Sequence, residues 1–346
     1  MGGTQQPRRG RSGGAPSVAD VARLAGVSTQ TVSRVSAGAR NVRADTREKV
    51  LRAMERLGYS PNRAAQALRR GSFRTIGVVT QHIERTGEAL TTEGVLAAAW
   101  RAGYTVSMIQ VERPASEDMR TAVLHLAHQG VDGLAVVQAG RADSRHLVLP
   151  ADVPVAVSDS ALVGYYPSAS ADQVGGVRDA VGHLLALGHR TVHHVSGPEG
   201  SQSALIRKAT WAACLREAGA LVPEPVLGDW EAAAGYKAGL HLAADPDVTA
   251  VFCGNDEVAL GLIRAMHEQG RRVPQDVSVV GFDGLDLGEY SFPPLTTIRQ
   301  DFKRHGREMV GLVLEQVTTG PVDGSRSVII PTELVLRGST APPPTR

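Results

Sequence analysis

The chain has 346 residues, of which 42% are hydrophobic and 21% are charged. This composition is that of a globular protein in water, and the length exceeds what one ordinary domain needs. No apolar run approaches the ~18 residues that a membrane helix requires, so no membrane partner is expected. The two cysteines, Cys214 and Cys253, give neither a disulfide framework nor a metal-ligand spacing, and we expect buried free thiols.

Charge is distributed unevenly along the chain. Residues 1–74 hold fifteen Lys and Arg against four Asp and Glu, a net charge of +11, and the other residues hold 22 against 31, a net charge of −9. The total of +2 therefore conceals a basic head on an acidic body. A solvated surface is the ordinary explanation of a charge excess, but an excess that coincides with a helix-turn-helix pattern indicates nucleic acid at that end.

The first sixteen residues are rich in Gly, Arg and Pro and contain no apolar core of a secretory signal. We expect a disordered basic arm over residues 1–16. It is either a leader without function or an additional contact to DNA phosphates.

The head begins with a pattern of two helices joined by a tight turn. Apolar residues recur at helical spacing from Val18 to Ala25, Gly26 breaks the pattern, and a second periodic run follows through Val32 and Val35. This spacing is typical of a helix-turn-helix, whose second helix enters the major groove of DNA.

Two serines, Ser17 and Ser28, stand where the N-caps of these helices are required. A third amphipathic helix, over roughly Asp45 to Leu57, completes a small core, and we assign residues 17–60 to a DNA-binding head. The recognition helix is expected from Thr29 to Val35, with Thr29, Gln30 and Arg34 toward bases. The polar residues expected to touch bases or phosphates are Ser28, Thr29, Gln30, Thr31, Ser33 and Arg34.

The segments ADVARLAGVSTQTVSRV and TREKVLRAMERLGYSPNRAAQAL resemble the head of the LacI/GalR family of bacterial repressors. A short helix-turn-helix match alone says little, but this one continues through the third helix into the linker. The resemblance implies a hinge helix and linker over residues 61–73 that becomes helical on DNA and enters the minor groove. It implies DNA contacts at Asn62, Ala65 and Leu68, with Leu68 as a wedge between base steps; the alternative is an inert linker.

From Ser72 onward, strand-like and helix-like runs alternate, which is typical of βαβ units with a parallel sheet. About 265 residues of such units exceed one open sheet, so we predict two doubly wound lobes with a cleft between them. The resemblance implies the same periplasmic-binding-protein-like body, crossed by the chain near Ser170, Gln300 and Ile330. The expected fold class is α/β, with a three-helix head and a body over residues 74–338. Within the body, we expect an N-lobe at about 74–170 and 301–329 and a C-lobe at about 171–300 and 330–338. A disordered tail is expected over residues 339–346.

Ligands of open α/β sheets bind beyond the carboxyl ends of the strands. Asp159, Asn255, Asp283 and Gln300 each follow a strand-like run. Carboxylates can accept hydrogen bonds from vicinal sugar hydroxyls, which makes these positions candidates for a sugar site. Taken singly, Asn255 is as well explained as a helix N-cap and Asp283 as the cap of a turn.

Two further candidates lie near the starts of helices. Arg207 donates hydrogen bonds in a fixed fork, and the Trp230 indole can cover the C–H face of a sugar ring. Trp230 could equally be plain core, and Trp211 is assigned to the core. Only the combination of carboxylates, an amide, an arginine and an indole is informative.

The resemblance extends through the body in segments such as LGHRTVHHVSGP, GDWEAAAGY, VSVVGFD and PPLTTIRQDF. Val137, Ser170 and the loop from Ile83 to Thr86 depart from the family's galactoside pattern. We therefore expect the polar contacts to a galactose-like ring to be the same as in that pattern, while the residues around the rest of the ligand differ. The effector contacts that the resemblance implies are Asp159, Arg207, Trp230, Asn255, Asp283, Gln300 and Phe302.

These observations predict a cytoplasmic, nucleoid-associated repressor. It would bind a pseudo-palindromic operator in double-stranded DNA as a homodimer, and a small sugar, with a galactoside favoured, would release it. The sequence does not locate the dimer face, for which the N-lobe helices after Glu88 and after Ser116 are candidates. The alternative is a different sugar or a purine, acting either as an inducer or as a co-repressor.

Two other classes of protein fit less well. A sugar-binding protein without a regulatory role leaves the basic helix-turn-helix unexplained. A sugar-modifying enzyme would use Asp159, Asp256 or Asp283 as acid and base, but no P-loop, GxSxG elbow or metal set is visible, and no cofactor is expected. His193 and His194 are adjacent in a strand, so they face opposite sides and cannot act as a pair.

Overall fold

The structure is a computed structural model, and no helix in the parts of the chain that it describes is long and apolar enough to cross a membrane. The chain divides into two compact units, residues 1–73 and 74–346. The predicted hinge contacts Asn62, Ala65 and Leu68 lie outside the described residues, as does the basic arm apart from Pro16, so those predictions stay predictions. The described residues are 16–39, 41–60, 67, 71–111, 116–137 and 153–345.

The head is built from α1 (Val18–Ala25), α2 (Thr29–Ser36) and α3 (Ala44–Leu57). Both predicted N-caps are confirmed, because the Ser17 and Ser28 hydroxyls each accept a backbone N–H of the first helical turn. Gly26 ends α1 with φ of 66°, a left-handed conformation that glycine adopts at little cost. The three helices pack around one hydrophobic core, formed by Val21, Ala22, Val32, Val35, Val50, Ala53 and Met54.

The body alternates strands and helices, as the sequence predicts. In chain order its described elements are β1 (Thr75–Thr80), α4 (Thr86–Arg101), β2 (Thr105–Gln110), α5 (Ser116–His128), β3 (Gly133–Val137), β4 (Val155–Val157), β5 (Ser168–Ala171), α6 (Gln173–Ala186), β6 (His193–Ser196), α7 (Gln202–Glu217), β7 (Val226–Leu227), α8 (Ala232–Ala243), β8 (Ala250–Cys253), α9 (Asp256–Glu268), β9 (Ser278–Asp283), a 3-10 turn (Asp286–Glu289), β10 (Thr296–Arg299), α10 (Phe302–Thr319), β11 (Ser327–Ile330) and β12 (Glu333–Val335).

Two sheets divide the body into an N-lobe and a C-lobe. The N-lobe sheet has the strand order β11-β5-β4-β3-β1-β2, and neighbouring strands in it run parallel. The C-lobe sheet has the order β12-β10-β9-β8-β6-β7 and is parallel except for β12, which runs antiparallel to β10. This is the doubly wound, two-lobed arrangement that the sequence predicts.

The chain passes between the sheets next to the three expected positions. It leaves β5 at Ala171 and enters α6 of the other lobe at Gln173, and it returns between β10 and α10. The last passage lies between β11 and β12. Each lobe is therefore built from separate stretches of chain.

The core positions agree with the sequence. Trp211 is 1% exposed and donates its indole N–H to the Val192 carbonyl at 2.9 Å. Cys214 and Cys253 are buried free thiols. His194 is buried and stacked on Phe252, and burial lowers the pKa of its imidazole to about 4, which suits a neutral structural histidine.

The prediction of a disordered tail from residue 339 is wrong for its first residues. The Ser339 hydroxyl is fully buried, donates to the Val279 carbonyl at 2.6 Å and accepts the Thr296 amide at 2.8 Å. The Ala341 amide donates to the Ser278 hydroxyl at 3.0 Å. Backbone groups at the starts of β9 and β10 need partners once buried, and this segment supplies them.

Candidate functional site

A cleft of about 620 Å³ lies between the two lobes and is lined by residues of both. Four of its residues are held at strand ends of the two sheets: Asp159 after β4, Asn255 after β8, Asp283 at the end of β9 and Gln300 after β10. All seven positions proposed from the sequence line this one cleft: Asp159, Arg207, Trp230, Asn255, Asp283, Gln300 and Phe302.

The central cation of the cleft is Arg207, which projects from α7 and is 4% exposed. Its Nε donates to Gln173 Oε1 at 2.7 Å, and its Nη1 donates to the Gly254 carbonyl. Its guanidinium carbon lies 3.7 Å from the Phe282 ring centroid. Packing and hydrogen bonds thus fix this fork in one orientation before any ligand arrives.

Asp283 is the carboxylate that faces this arginine. Its Oδ1 lies 3.4 Å from Arg207 Nη2 and accepts Gln300 Nε2 at 2.7 Å. Burial raises the pKa of Asp283 to about 6, against the opposing effect of the Arg207 charge. Burial also lowers the pKa of Arg207, but a guanidinium stays protonated in proteins, so the pair is ionic above about pH 6.

Gln173, the first residue of α6, was not singled out from the sequence. Besides accepting from Arg207, its Nε2 donates to Asp159 Oδ2 at 3.2 Å and lies 3.5 Å from Gln300 Oε1. It therefore joins three of the proposed contact residues, Arg207, Asp159 and Gln300, into one network. A glutamine just after a chain crossing has no sequence signal of its own, because the network exists only once the lobes meet.

Trp230 lies beside two glycines. A Cβ added at Gly197 would come within 2.4 Å of the Trp230 ring, and one at Gly254 within 3.2 Å. Arg207 lies over the same ring at 5.4 Å from its centroid. Trp230 is thus half-buried in the cleft wall, and it is not part of the central core.

Asn255 combines the two roles that the sequence left open. Its Oδ1 accepts the Val258 amide at 2.9 Å and caps α9, while its Nδ2 donates to the Trp230 carbonyl at 3.0 Å. It also lines the cleft. The amide therefore fixes the approach of the Trp230 segment to the start of α9.

The N-lobe side of the cleft is markedly polar. Arg85, Thr86 and Glu88 line it at the start of α4, close to Val137 at the end of β3. Glu88 is 6% exposed, and its Oε2 accepts the His82 amide at 2.8 Å. This wall carries the departures from the galactoside pattern that the sequence indicates.

Besides the bond from Gln173 to Asp159, a second hydrogen bond joins the two lobes across the cleft. The Thr86 hydroxyl of the N-lobe donates to Glu257 Oε1 of the C-lobe. Phe302 lies nearby, 3.6 Å from where a Cβ at Gly87 would stand. Ser170, the remaining departure, lines a separate hollow next to the cleft together with Val174 and Ile329.

The recognition helix presents the residues expected to read DNA. Ser28, Thr29, Gln30 and Arg34 are exposed, whereas Thr31 and Ser33 are half-buried. Val32 and Val35 point into the head core on the opposite face of α2. The helix therefore offers a polar face held by an apolar one, which suits a major-groove reader.

Among the residues that the structure describes, no group of three or more His, Cys, Asp or Glu could hold a metal ion. The cleft chemistry is instead that of fixed hydrogen-bond donors and acceptors around an indole. Such an arrangement suits recognition of a neutral, hydroxyl-rich molecule.

Comparison with known proteins gives the same division of the chain. Residues 17–62 match the family of bacterial regulatory proteins, lacI family, and residues 181–340 match a periplasmic binding protein-like domain. The chain is 36% identical over 331 residues to the lactose operon repressor of Escherichia coli strain K12, covering 94% of this chain and 91% of that protein. It is 34% identical over 336 residues to the HTH-type transcriptional repressor PurR of Haemophilus influenzae strain PittEE, covering 93% and 98%.

Solved structures agree in fold over nearly the whole length. The lac repressor dimer bound to operator and the anti-inducer ONPF has a TM-score of 0.85 at 35% identity, covering 95% of this chain and 100% of that chain. The transcriptional regulator CelR in its cellobiose complex has a TM-score of 0.70 at 30% identity, covering 94% and 99%. The chain therefore belongs to the lacI family of bacterial regulatory proteins, as a DNA-binding transcriptional repressor with a helix-turn-helix head and a periplasmic-binding-protein-like body.

Proposed function

We propose that this protein is a homodimer that binds a pseudo-palindromic operator and is released when a small sugar, with a galactoside favoured, occupies the inter-lobe cleft. The observation that carries the proposal is the convergence of all seven implied contact residues on that cleft. Sugar and operator would then oppose each other through one protein.

The operator side of the proposal rests on the head. Thr29, Gln30 and Arg34 are exposed on α2, where Gln can pair with adenine and Arg with guanine. The excess of basic residues in this part of the chain supplies contacts to phosphates. Asn62, Ala65 and Leu68 are proposed to follow as a hinge helix in the minor groove, which forms on DNA because so short a helix is marginal in water.

The effector side rests on the fixed donors and acceptors of the cleft. Arg207 donates in a fork, Asp159 and Asp283 accept, and Trp230 offers an apolar ring face. A pyranose presents vicinal hydroxyls at its edge and C–H groups on its face, so both kinds of surface find partners. The relatives fit this choice, since they include the lactose operon repressor and a regulator in complex with cellobiose.

A purine is the second candidate, and the 34% identity to the repressors named PurR favours it. A flat heterocycle could stack on the Trp230 ring and accept hydrogen bonds from Arg207. Such a ligand could act as a co-repressor, which would tighten operator binding.

Dimerisation follows from the symmetry of the proposed operator, since two half-sites need two heads. The helix α4 exposes apolar side chains in a manner unusual for a free surface, with Trp100 at 79% and Leu96 at 43%. We propose this face of the N-lobe as part of the interface. The lac repressor relative is a dimer in its operator complex.

The test is operator release by a panel of compounds. DNA from the region upstream of the protein's own gene is bound first, and galactosides, other sugars and purines are then titrated against the complex. Release by a galactoside alone supports the proposal, release by another sugar corrects the effector, and tighter binding with a purine favours the second candidate. Failure of every compound to change operator affinity would contradict ligand control through this cleft.

A further inference from the structure

Asp256 is a fully buried carboxylate that lies behind the cleft and does not line it. Its Oδ2 accepts the Leu285 amide at 2.6 Å, and its Oδ1 accepts the Thr297 hydroxyl. A Cβ at position 281 would come within 2.2 Å of Oδ1, so Gly281 leaves the space that this carboxylate occupies. Asp256 is therefore built into the C-lobe and joins α9 to the turn after β9 and to the start of β10.

The segment held in this way is the turn that carries Asp283. Asp283 has φ of 109° and Gly284 has φ of 74°, so two successive residues adopt positive φ. For a residue with a Cβ this conformation is strained, and it persists only where the surroundings enforce it. The amides of Gly284 and Leu285 both point to the Asp256 carboxylate, which is the enforcing contact.

The consequence concerns where the Asp283 carboxylate points. Its Oδ1 meets Arg207 and Gln300 with the backbone at Asp283 in this unusual conformation. An ordinary β conformation at the same position would direct the side chain elsewhere, since successive side chains of a strand alternate between its faces.

We propose that Asp256 is a positioning residue for the effector site: it clamps the turn from Asp283 to Leu285 and so aims the Asp283 carboxylate at the ligand hydroxyls. This inference rests on the proposed function, in which Asp283 contacts the sugar. It adds a residue that no ligand touches and that acts through hydrogen bonds to backbone amides.

The charge of Asp256 gives the clamp a measurable signature. Burial, followed by the charge of Asp283, raises the pKa of Asp256 to about 7. Among the described residues, two other titratable groups face Asp256: Arg207 on α7 and the buried Cys253 thiol on β8. From β10 the uncharged Thr297 hydroxyl contacts Asp256. The neighbouring Glu257 acts on Asp283. A protonated carboxyl is a weaker acceptor, so the clamp should loosen as the pH falls through about 7.

The experiment compares wild type with Asp256→Asn and uses methyl β-galactoside as the probe. Titration calorimetry from pH 8 to pH 6 should show wild-type affinity falling as Asp256 takes up its proton. Asp256→Asn should bind about tenfold more weakly at pH 8, the scale of one charged hydrogen bond. It should also lack the step near pH 7. The matched control is Asp286→Asn, which removes an exposed carboxylate from the neighbouring 3-10 turn and should change neither quantity.

A second pair of variants guards against a folding defect. Thr297→Val removes the hydroxyl that donates to Asp256 and should weaken binding several-fold, while Thr297→Ser keeps the donor and should restore it. Hydrogen exchange without any sugar tests the clamp directly, because the Leu285 amide should exchange faster in Asp256→Asn while the middle of β9 stays protected.

The outcomes separate the two proposals. No binding of methyl β-galactoside to wild type would contradict the galactoside effector, and the exchange of the Leu285 amide would still decide the clamp. Unchanged exchange of that amide in Asp256→Asn would overturn the positioning role. A uniform loss of affinity that keeps the step near pH 7 would also overturn it.

Discussion

The side chains of Arg207 and Asp283 form an ion pair inside the cleft, with Nη2 of the arginine 3.4 Å from Oδ1 of the aspartate. The two side chains are only 5% and 9% exposed. A buried pair of this kind recovers little net stability, because the loss of hydration offsets the attraction. Its value is a fixed donor and a fixed acceptor side by side, which is what vicinal hydroxyls require.

Loss of the arginine should separate operator binding from sugar response. We expect Arg207→Ala to bind operator but to need at least tenfold more sugar for release, since charged hydrogen bonds are lost. Because this variant leaves Asp283 buried without its partner, it should also unfold more easily, by about 3–5 kcal/mol. Arg207→Lys keeps the positive charge but not the planar, forked guanidinium. It should therefore also lose release by sugar, with a smaller loss of stability.

Operator release measured against sugar concentration checks this expectation. The control is Arg216→Ala, an exposed arginine on the same helix. A normal release curve for both Arg207 variants would remove Arg207 from the effector site.

The glycine beside Trp230 offers an indirect test of the stacking face. A Cβ at Gly197 would stand 2.4–2.6 Å from three atoms of the indole, so Gly197→Ala should displace the ring and weaken sugar binding. Gly200→Ala is the matched control, because a Cβ there meets nothing within 4 Å. Calorimetric titration of both variants with the same sugar measures the difference, and equal affinities would argue against Trp230 as a contact.

The head should specify sequence through Gln30. Replacement by Ala removes a side chain that can form two hydrogen bonds with adenine, worth about 1–3 kcal/mol of discrimination. We expect weaker binding to operator, unchanged binding to random DNA and a relaxed preference at one position of each half-site. Binding to a set of single-base operator variants measures this, and unchanged affinity and preference would show that Gln30 does not read bases.

Stability should depend on pH through Asp256. Its pKa rises from 3.8 to about 7 on folding, so the folded state binds the proton more tightly than the unfolded state. The tighter proton binding of folded Asp256 stabilises the folded state fully below about pH 4. This stabilisation is lost as the pH rises to about 7, so the free energy of unfolding falls by a few kcal/mol over that range. Urea unfolding of Asp256→Asn across this range should show a flatter pH profile than wild type, whatever its absolute stability. Parallel profiles would contradict the raised pKa.

Much of the fold could be predicted because the signals are local. Helix periodicity, the N-caps Ser17 and Ser28 and the apolar runs of the central strands depend on nearby residues. β5 (Ser168–Ala171) escaped prediction because the sequence SASA is neither apolar nor branched, and it is a strand only through its neighbours β4 and β11. β12 (Glu333–Val335) likewise depends on β10.

The site was predictable where a side chain follows a strand, as at Asp159 and Asp283. Gln173 and Asp256 could not be found in this way, because their roles consist of bonds to partners far along the chain. The prediction of a disordered tail from residue 339 was wrong for the same reason. The composition of the tail does not show that distant backbone groups need Ser339 as a hydrogen-bond partner. Long-range hydrogen bonding is what the sequence alone does not display.

If the cleft ligand and the operator oppose each other, each must weaken the binding of the other by the same factor. The affinity of methyl β-galactoside is measured for free protein and for protein saturated with operator, alongside operator affinity with and without the sugar. We expect sugar to bind more weakly to the operator complex by the same factor, about 5–150-fold, by which sugar weakens operator binding. Equal sugar affinity in both states would contradict the coupling, and tighter sugar binding on operator would show co-repression in place of release.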